Sequence, residues 1–374
     1  MWVLQWPTGY IRRGRSIISH CSKKALYGLF YFPMKIAVDV MGGDHGCGVV
    51  IDGTIQALEK CQHIERVQII GDKTKINHSL DRIRNIDPRL EIIHASEVLS
   101  MEDKPVEGLR KKKDCSLSIA MDLVKTGKSD AIISPGNTGG VVAAAAIKLR
   151  TLTGIDRPGI AAILPSKHNN FILLDAGANV DGKPKHLMHY AIMGDIYARE
   201  VLGIKDPKIG LMSVGTEESK GNELTQETFH LCKGLELNFV GNIEGHDLFS
   251  DEIDVVVTNG FVGNILLKSC EQLAGVLMGW LKDELNSGLM SKFGAVLSQK
   301  AFQSLKKRIN PDNVGGAPLL GVNGTVTIAH GSASSHAIYN GICNTVEAVD
   351  HNINKLIIDA VANANDKLRA DANN

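Results

Sequence analysis

The feature that most constrains this chain is a short apolar run that ends in a glycine-rich turn and leads into small residues. The run Ala131–Ile133 has the composition of a buried strand, and the turn Ser134–Gly140 reads Ser-Pro-Gly-Asn-Thr-Gly-Gly. The segment Val141–Ala146 contains only valine and alanine, which suits a helix packed closely on a sheet. A strand, a glycine-rich turn and a helix in this order direct backbone N–H groups towards one point, where an anion can bind. Taken alone, the same motif is also an ordinary strand-to-helix turn with a capped helix.

The strand-to-helix pattern repeats along the chain and predicts an α/β fold with a mostly parallel sheet and helices on both faces. We predict a single α/β unit over residues 34–374, with a helical protrusion at about 265–310. Two strands joined by a polar turn at 166–170 are predicted to form a hairpin. The predicted strands are Lys35–Val40, Arg66–Ile70, Leu90–His94, Ala131–Ile133, Ile160–Leu164, Phe171–Leu174, Ile209–Val214, Asp254–Val257 and Thr325–Ala329.

Glycine and polar residues follow six of these predicted strands. In a parallel sheet, ligands bind outside the carboxyl ends of the strands. We therefore predict that the six turns line a single crevice, which favours an anion-binding role for the turn at 134–140. The turns occupy residues 41–46, 134–140, 175–186, 213–222, 258–264 and 330–332.

The composition of the 374 residues narrows the class of protein further. The formal net charge is zero, so no overall charge attracts nucleic acid, and we predict no nucleic-acid partner. The seven cysteines include no Cys-x-x-Cys pair, which disfavours a zinc site or a disulfide framework and favours a reducing cytoplasm. No apolar run reaches the roughly 20 residues that a membrane span needs.

Residues 1–33 differ from the rest of the chain, because they contain five basic residues and no acidic one. A targeting presequence is one interpretation, but polar and basic residues interrupt the apolar segment that a secretory signal requires. Since a predicted strand begins directly after Met34, we favour an N-terminal extension upstream of the true start.

Several well-known catalytic and nucleotide motifs do not occur. No predicted strand is followed by Gly-x-Gly-x-x-Gly, and there is no Gly-x-Ser-x-Gly elbow for a serine nucleophile. The segment Gly177–Pro184 has proline where a P-loop needs a hydroxyl, and Asp181 would repel phosphate there. His186 and His189 are spaced i, i+3 but have no further ligand placed with them, so we predict solvated or helix-face histidines, no metal and no cofactor.

Other residues stand out as candidates for proton transfer or for surface contacts. His45 and His330 each lie in a predicted crevice turn, where an imidazole can donate hydrogen bonds or transfer a proton. The basic runs Arg110–Lys113 and Lys306–Arg308 are suited to an acidic protein partner, although basic runs are commonly just solvated. Apolar residues at i, i+4, i+7 and i+8 predict an amphipathic helix for a membrane surface, a dimer partner or the core. They are Leu289, Phe293, Val296 and Leu297.

Taken together and in order, the motifs resemble a known family. The segments are Asp39–Gly46, Asp103–Pro105, Arg110–Asp114, Ser134–Gly140, Leu174–Asp181, Gly215–Leu224, Phe239–Asn242, Gly260–Asn264, Gly315–Gly321 and Ala329–Ser332. Over Met34 to about Ile342 the chain resembles the bacterial phosphate acyltransferases of the PlsX family. Asn259 departs from the family pattern, which usually has an acidic residue at this position.

The resemblance implies a fold similar to the isocitrate and isopropylmalate dehydrogenases and the phosphotransacetylases. It implies transfer of an acyl group from acyl carrier protein to inorganic phosphate, giving acyl phosphate for phospholipid synthesis. It also implies a homodimer on the inner face of the cytoplasmic membrane, and a downstream acyltransferase that uses the product on glycerol 3-phosphate. The two basic runs then become candidate docking sites for the carrier protein, and the apolar residues at 289–297 a candidate membrane contact.

The chemistry of this reaction suggests roles for the turn residues. Phosphate is already largely dianionic at neutral pH, so the site must mainly orient it and stabilise the oxyanion that forms on the thioester. We predict catalytic roles for His330, Asn264 and Lys185, as donors to the oxyanion or thiolate and as a charge partner of phosphate. The predicted phosphate-binding residues are Gly43, Asp44, His45, Asn137, Thr138, Gly139, Lys220, Asn222 and Ser332.

Three alternatives remain open at this point. A phosphotransacetylase that uses coenzyme A shares the expected fold and much of the chemistry. A decarboxylating dehydrogenase would need an acidic metal cluster and an arginine clamp, neither of which we can assemble from the turns. A membrane-bound scaffold for the carrier protein would not need six polar turns.

Overall fold

The computed structural model describes residues 33–372, so the extension predicted for residues 1–33 lies outside the described residues except for Pro33. Within this range, eleven strands form one sheet in the order β3-β2-β1-β4-β11-β10-β5-β6-β9-β7-β8. The strands are β1 (Met34–Asp39), β2 (Ile64–Gly71), β3 (Leu90–His94), β4 (Ala131–Ser134), β5 (Gly159–Pro165), β6 (Asn170–Leu174), β7 (Ile209–Met212), β8 (Phe239–Ile243), β9 (Val255–Val257), β10 (Ala317–Leu320) and β11 (Thr325–Ile328).

Helices connect most of the strands and cover the sheet. A π-helical turn (145–149) extends the fifth helix, and a 3₁₀ turn (311–313) follows the tenth. The helices are α1 (Cys47–Lys60), α2 (Lys73–Leu80), α3 (Pro105–Lys111), α4 (Ser116–Lys125), α5 (Thr138–Ala144), α6 (Pro184–Glu200), α7 (Glu223–Lys233), α8 (Gly260–Asn286), α9 (Leu289–Leu297), α10 (Gln299–Ile309), α11 (Ser335–Asp350) and α12 (Ile353–Ala372).

The sheet consists of two parallel halves that run in opposite directions. Strands β3, β2, β1, β4 and β11 are parallel to one another, and so are β6, β9, β7 and β8. Between the halves, β10 is antiparallel to both of its neighbours, and β5 forms the predicted antiparallel hairpin with β6. The prediction of a mostly parallel α/β sheet is confirmed, but the carboxyl ends of the two halves lie at opposite edges.

Alternate residues of each strand point into different cores, because successive side chains of a strand face opposite sides of the sheet. On one face, Ala37 and Ile132 share a core with residues of α4 and α5. On the other face, Ile36 and Val38 pack against α1 and α11. In the second half of the sheet this other face is covered by α6 and α12, against which Ile172 packs. The predicted cover of helices on both faces is therefore present.

The region for which we predict a helical protrusion forms α8, α9 and α10. The only buried residues that α8 contributes are Gly260 and Gly263, at its first turn, and α9 and α10 contribute none. Within residues 33–372, no helix is both long and apolar enough to cross a bilayer.

Candidate active site

Three of the glycine-rich turns meet at one edge of the sheet and form what we call the first turn group: residues 41–46, 134–140 and 330–332. They follow β1, β4 and β11, which are adjacent in the sheet. The backbone N–H of Asp44 donates to the carbonyl oxygen of Gly331 at 2.8 Å, which joins the first turn to the third. Helices α1, α5 and α11 begin directly after these turns, so their positive ends face the same region.

Asn137 holds the middle turn of this group. Its Oδ1 accepts a hydrogen bond from the Gly140 N–H at 2.9 Å and so caps α5, while its Nδ2 donates to the Met101 carbonyl at 3.1 Å. The side chain of Asn137 is therefore engaged within the protein. Thr138 and Gly139 are exposed, and their N–H groups are those that the first turn of a helix leaves without an intrahelical partner.

His330 has a defined tautomer in this structure. The Ser332 N–H donates to His330 Nδ1 at 3.2 Å, and the Ser332 Oγ lies 2.8 Å from the same nitrogen. Because Nδ1 accepts, a neutral His330 carries its proton on Nε2 and can offer it to a ligand. Both side chains are exposed, as is His45 in the neighbouring turn.

Two predicted phosphate contacts of the first turn group have a different environment from the others. Gly43 is half-buried beside Pro135 and Gly331. Asp44 uses its N–H to bind Gly331, so its remaining group towards a ligand is a carboxylate, which repels phosphate. The geometry assigns Asp44 to holding the turns together.

The second turn group comprises residues 175–186, 213–222 and 258–264, after β6, β7 and β9. Its centre is Asp175, whose side chain is completely buried. The Asp175 Oδ1 accepts hydrogen bonds from three backbone N–H groups and its Oδ2 from a fourth, at 2.8–3.0 Å, from Ile160, Gly177, Ala178 and Asn179. Burial raises the pKa of Asp175, and these hydrogen bonds oppose that rise.

The predicted residues of the second turn group are distributed along it. Asn264 is exposed and its side chain lies next to Gly177. Lys185 is exposed and forms an ion pair with Asp156 at 3.3 Å. Lys220 is exposed, and Asn222 caps α7 by accepting a hydrogen bond from the Thr225 N–H at 3.0 Å.

The strand directions correct the premise behind the predicted single crevice. That prediction assumed that all six strands end at the same edge, but the first and second turn groups follow strands of opposite direction. The prediction that one sheet edge carries all six turns is therefore wrong. Among the predicted residues, the structure brings His45, Thr138, His330 and Ser332 together, and it places Lys185, Lys220, Asn222 and Asn264 in the other group.

His186 and His189 lie on α6 and are buried, so of the two predicted alternatives the solvated one is wrong. The His186 Nδ1 accepts a hydrogen bond from the Lys183 N–H at 3.2 Å, which helps to start α6. Burial lowers the pKa of His189 to about 4, and nearby Lys185 acts in the same direction. His189 is therefore neutral near pH 7 in the folded protein.

The basic run at 110–113 lies beside the first turn group, and the run at 306–308 lies on a separate helix. Helix α3, which carries Arg110 and Lys111, packs against α5. Lys112 is not available for docking, because its Nζ binds Asp103 Oδ2 at 2.5 Å; Arg110, Lys111 and Lys113 are exposed. The exposed run 306–308 ends α10. The chain then reaches Asp312, whose carboxylate accepts a hydrogen bond from Ser334, the N-cap of α11, at 2.7 Å.

The predicted membrane contacts are strongly exposed. The exposed fractions of Leu289, Phe293, Val296 and Leu297 lie between 64% and 89%. The apolar surface continues along α8, where Trp280 is 62% exposed. Large apolar side chains exposed in this number are typical of a contact with another molecule rather than of a solvated helix.

The sequence interpretation missed the residues that hold the turns. Asp39 and Asp175 are 2% and 0% exposed and each directly follows the apolar part of a strand. The signal was present, because a carboxylate between an apolar strand and a glycine-rich turn has nearby backbone N–H groups to bind. Ser134 and Asn179 have the same kind of structural role.

Comparison with solved structures shows the fold class of this chain. A phosphotransacetylase from Streptococcus pyogenes has the same fold, with a TM-score of 0.59 and 18% identity over 85% of this chain and 94% of that one. The EutD phosphotransacetylase from Staphylococcus aureus gives a TM-score of 0.56 at 17% identity, with the same coverage. These structures establish the phosphotransacetylase fold.

The sequence comparisons identify the family. A family model described as a fatty acid synthesis protein matches residues 34–356. A phosphate acyltransferase of Akkermansia muciniphila is 46% identical over 335 residues, which are 88% of this chain and 96% of the relative. One from Pelotomaculum thermopropionicum is 43% identical over 320 residues, 86% of this chain and 93% of the relative. The chain belongs to the phosphate acyltransferase (PlsX) family and is an acyltransferase.

Proposed function

We propose that this protein transfers a fatty acyl group from the thioester of acyl carrier protein to inorganic phosphate. A phosphate oxygen forms a bond to the thioester carbon, the carbon–sulfur bond breaks, and the carrier leaves as its thiolate. The products are acyl phosphate and the free carrier. A downstream acyltransferase would use the acyl phosphate on glycerol 3-phosphate for phospholipid synthesis. The family membership supports the transfer to phosphate, and the first turn group supports the position of the phosphate.

The observation that carries the proposal is the convergence of exposed donors in the first turn group. The N–H groups of Thr138 and Gly139 and the Thr138 hydroxyl are suited to a phosphate dianion, whereas the Ser332 hydroxyl donates to His330 Nδ1 and holds that imidazole. His330 Nε2–H is suited to the oxyanion that forms on the thioester carbon. The phosphate is itself the nucleophile, so the protein needs no nucleophilic side chain.

The second turn group contains the cationic and amide candidates. Lys185 and Lys220 are proposed as charge partners of a phosphate, Asn222 as a further phosphate contact and Asn264 as a donor to the oxyanion. The ion pair of Lys185 with Asp156 reduces its net charge towards a ligand, and Lys220 is in an exposed turn. Both groups are therefore included in the test.

The test is an alanine series assayed by release of free carrier thiol with and without phosphate. We expect Asn137→Ala and His330→Ala to lower the phosphate-dependent rate at least tenfold, since each removes either the cap of the phosphate turn or an oxyanion donor. Lys185→Ala and Lys220→Ala measure the contribution of the second group. Wild-type rates in all four folded variants would refute the proposed site, and thiol release that does not depend on phosphate would refute the proposed reaction.

A phosphotransacetylase-type reaction with an acyl-coenzyme A donor is the second candidate. The phosphotransacetylase fold favours this reaction. The two phosphotransacetylases, however, are only 17–18% identical in sequence to this chain. A direct competition between acetyl-coenzyme A and long-chain acyl carrier protein distinguishes the two. A preference for acetyl-coenzyme A would replace the carrier protein as the proposed donor.

We also propose that acyl carrier protein docks on the exposed basic residues of the two basic runs. These residues are Arg110, Lys111 and Lys113 next to α5, and Lys306, Lys307 and Arg308 at the end of α10. The carrier protein is acidic, so a basic surface beside the site would attract and orient it. The thioester would then enter the first turn group from the docked carrier.

The exposed apolar side chains of α9 are proposed as a membrane contact on the cytoplasmic face. A peripheral position would deliver an apolar product to the bilayer. The alternative partner for these side chains is a second copy of the chain, packed against them in a homodimer. Flotation with liposomes and the mass of the protein in solution distinguish the two.

A further inference from the structure

Asp39 and Ser134 form a buried hydrogen bond between the ends of two neighbouring strands. Asp39 ends β1 and Ser134 ends β4, one position beyond the paired residues Val38 and Ile133. The Ser134 hydroxyl donates to Asp39 Oδ2 at 2.8 Å. Asp39 is 2% exposed and Ser134 is fully buried, so water does not compete for this bond.

Each member of the pair also holds the turn that follows its own strand. The Asp39 Oδ1 accepts a hydrogen bond from the Met41 N–H at 3.1 Å, and the Ser134 Oγ accepts one from the Gly136 N–H at 3.2 Å. The same two side chains therefore connect the turn at 41–46 to the turn at 134–140. Burial raises the pKa of Asp39, but its hydrogen bonds oppose that rise.

The two turns touch through their backbones. A Cβ atom added to Gly42 would lie 2.6 Å from the Gly136 Cα and 3.2 Å from Asp39 Oδ2. Real Cβ atoms do not approach other atoms this closely, so only glycine fits at position 42 without movement of one turn. The relative position of the two turns is thus determined by the contact and by the Asp39–Ser134 bond.

We propose that Asp39 and Ser134 are the positioning residues of the phosphate site. This inference rests on the proposed function, in which the turn at 134–140 binds phosphate. Neither side chain touches the ligand. They fix where Thr138 and Gly139 present their donors relative to the turn at 41–46. A buried carboxylate is costly to desolvate and is a weak source of stability, so its use here is better explained by the geometry that it imposes.

The test measures the Michaelis constant for phosphate separately from that for acyl carrier protein. We expect Asp39→Asn and Ser134→Ala each to raise KM for phosphate about tenfold, because small misplacements of binding groups weaken binding strongly. The KM for the acyl carrier should change less than twofold. The double variant should be no worse than the worse single variant, since both substitutions act on the same Asp39–Ser134 pair.

Asp254→Asn is the control, because it removes another carboxylate that holds backbone, here at a half-buried position. The Asp254 Oδ2 accepts a hydrogen bond from the Lys208 N–H at 2.9 Å, just before β9 and outside both turn groups. It should lower the melting temperature without changing KM for phosphate. A purely structural role for Asp39 and Ser134 predicts the same pattern in all three variants.

The outcomes separate the inference from the proposed function. If the wild type releases thiol without depending on phosphate, the proposed function fails and the inference fails with it. If the wild type depends on phosphate but folded Ser134→Ala keeps the wild-type KM for phosphate, the inference alone is refuted. Ser134→Ala removes a single hydroxyl, so it provides this answer even if Asp39→Asn does not fold.

Discussion

Individual polar side chains in this protein divide into those that hold the turns and those that face solvent at the turns. Asn137 and Asp175 use their polar atoms on neighbouring backbone groups. Thr138 is exposed next to Asn137. This division separates residues whose substitution should change shape from residues whose substitution should change only binding.

The buried imidazole of His189 predicts a pH dependence of stability. Its pKa is about 4 in the folded protein, whereas an unfolded histidine has a pKa near 6.5. The unfolded state therefore binds more protons between these values, and stability falls as the pH drops from about 6.5 to 4. From this shift we expect a loss of about 2 kcal/mol between pH 7 and pH 5 that His189→Leu does not show.

Urea unfolding of wild type and His189→Leu at both pH values measures this difference. The comparison between the two proteins cancels the titration of all other groups. Equal losses of unfolding free energy in both proteins would show that His189 does not stay neutral in the folded state.

At the level of elements, the packing of α1 on α11 depends on one glycine. A Cβ added to Gly53 would lie 2.4 Å from the Ser335 carbonyl oxygen and 2.6 Å from Ile338 Cβ. Alanine favours a helix over glycine by about 1 kcal/mol, but a clash with backbone in a packed interface outweighs this gain. We therefore expect Gly53→Ala to lower the melting temperature.

Gly279→Ala in α8 is the control, since among the described residues no atom beyond the local helix backbone lies within 4 Å of the Cβ that it would add. It should raise the stability of α8 slightly through helix propensity alone. The melting temperatures of Gly53→Ala and Gly279→Ala, measured by thermal unfolding, test both expectations. A stabilised Gly53→Ala would mean that α1 and α11 can separate without cost.

The exposed apolar face of α9 leads to a prediction about membrane binding. Replacing Leu289 and Phe293 with aspartate should abolish flotation with anionic liposomes, because charge is costly in an apolar lipid environment. The double variant Ile86→Asp and Ile147→Asp is the control, since these residues are 49% and 53% exposed elsewhere on the protein. Unchanged flotation of the α9 variant would favour dimer packing, which a change of mass in solution would detect.

The sequence predicted the elements whose patterns are local. β4 and β9 are buried along their whole length and appear as short apolar runs, and the β5–β6 hairpin has a polar turn. β10 was missed because Pro318 lies inside it, and proline in a central strand lacks an N–H for the ladder. β8 was missed because Gly241, which has a φ of 96°, interrupts its apolar pattern. Strand direction depends on distant pairing, so the two separate turn groups were not predictable from local patterns.

At the scale of the whole molecule, charge is balanced overall but not locally. The formal net charge is zero, whereas the basic run at 110–113 lies beside the first turn group. Local charge of this kind steers an acidic partner to one surface without attracting polyanions in general. Association through such a surface weakens as salt increases.

Charge reversal tests this docking surface. Arg110→Glu, Lys111→Glu and Lys113→Glu together should raise KM for acyl carrier protein several-fold at low salt, and the difference should shrink at high salt. Lys112 is left unchanged because its ion pair with Asp103 holds the local chain. The same test applies to reversal of the run at 306–308.

Lys125→Glu with Lys128→Glu is the control for this experiment, since both residues are exposed before the start of β4, at the other edge of the sheet. It should leave KM for the carrier unchanged. A KM and salt dependence equal to those of the wild type in the docking variants would place the carrier on another surface.

The position of β10 and β11 in the sheet has a consequence for how the protein is made. These strands are among the last to leave the ribosome, yet they lie between β4 and β5 in the middle of the sheet. Without residues 317–328, the native strand pairs of the earlier strands join only into two separate sets, β3-β2-β1-β4 and β5-β6-β9-β7-β8. Long-range pairing of this kind is slow to form. A premature stop before Ala317 would therefore remove the join between the two halves of the molecule, and not merely its tail.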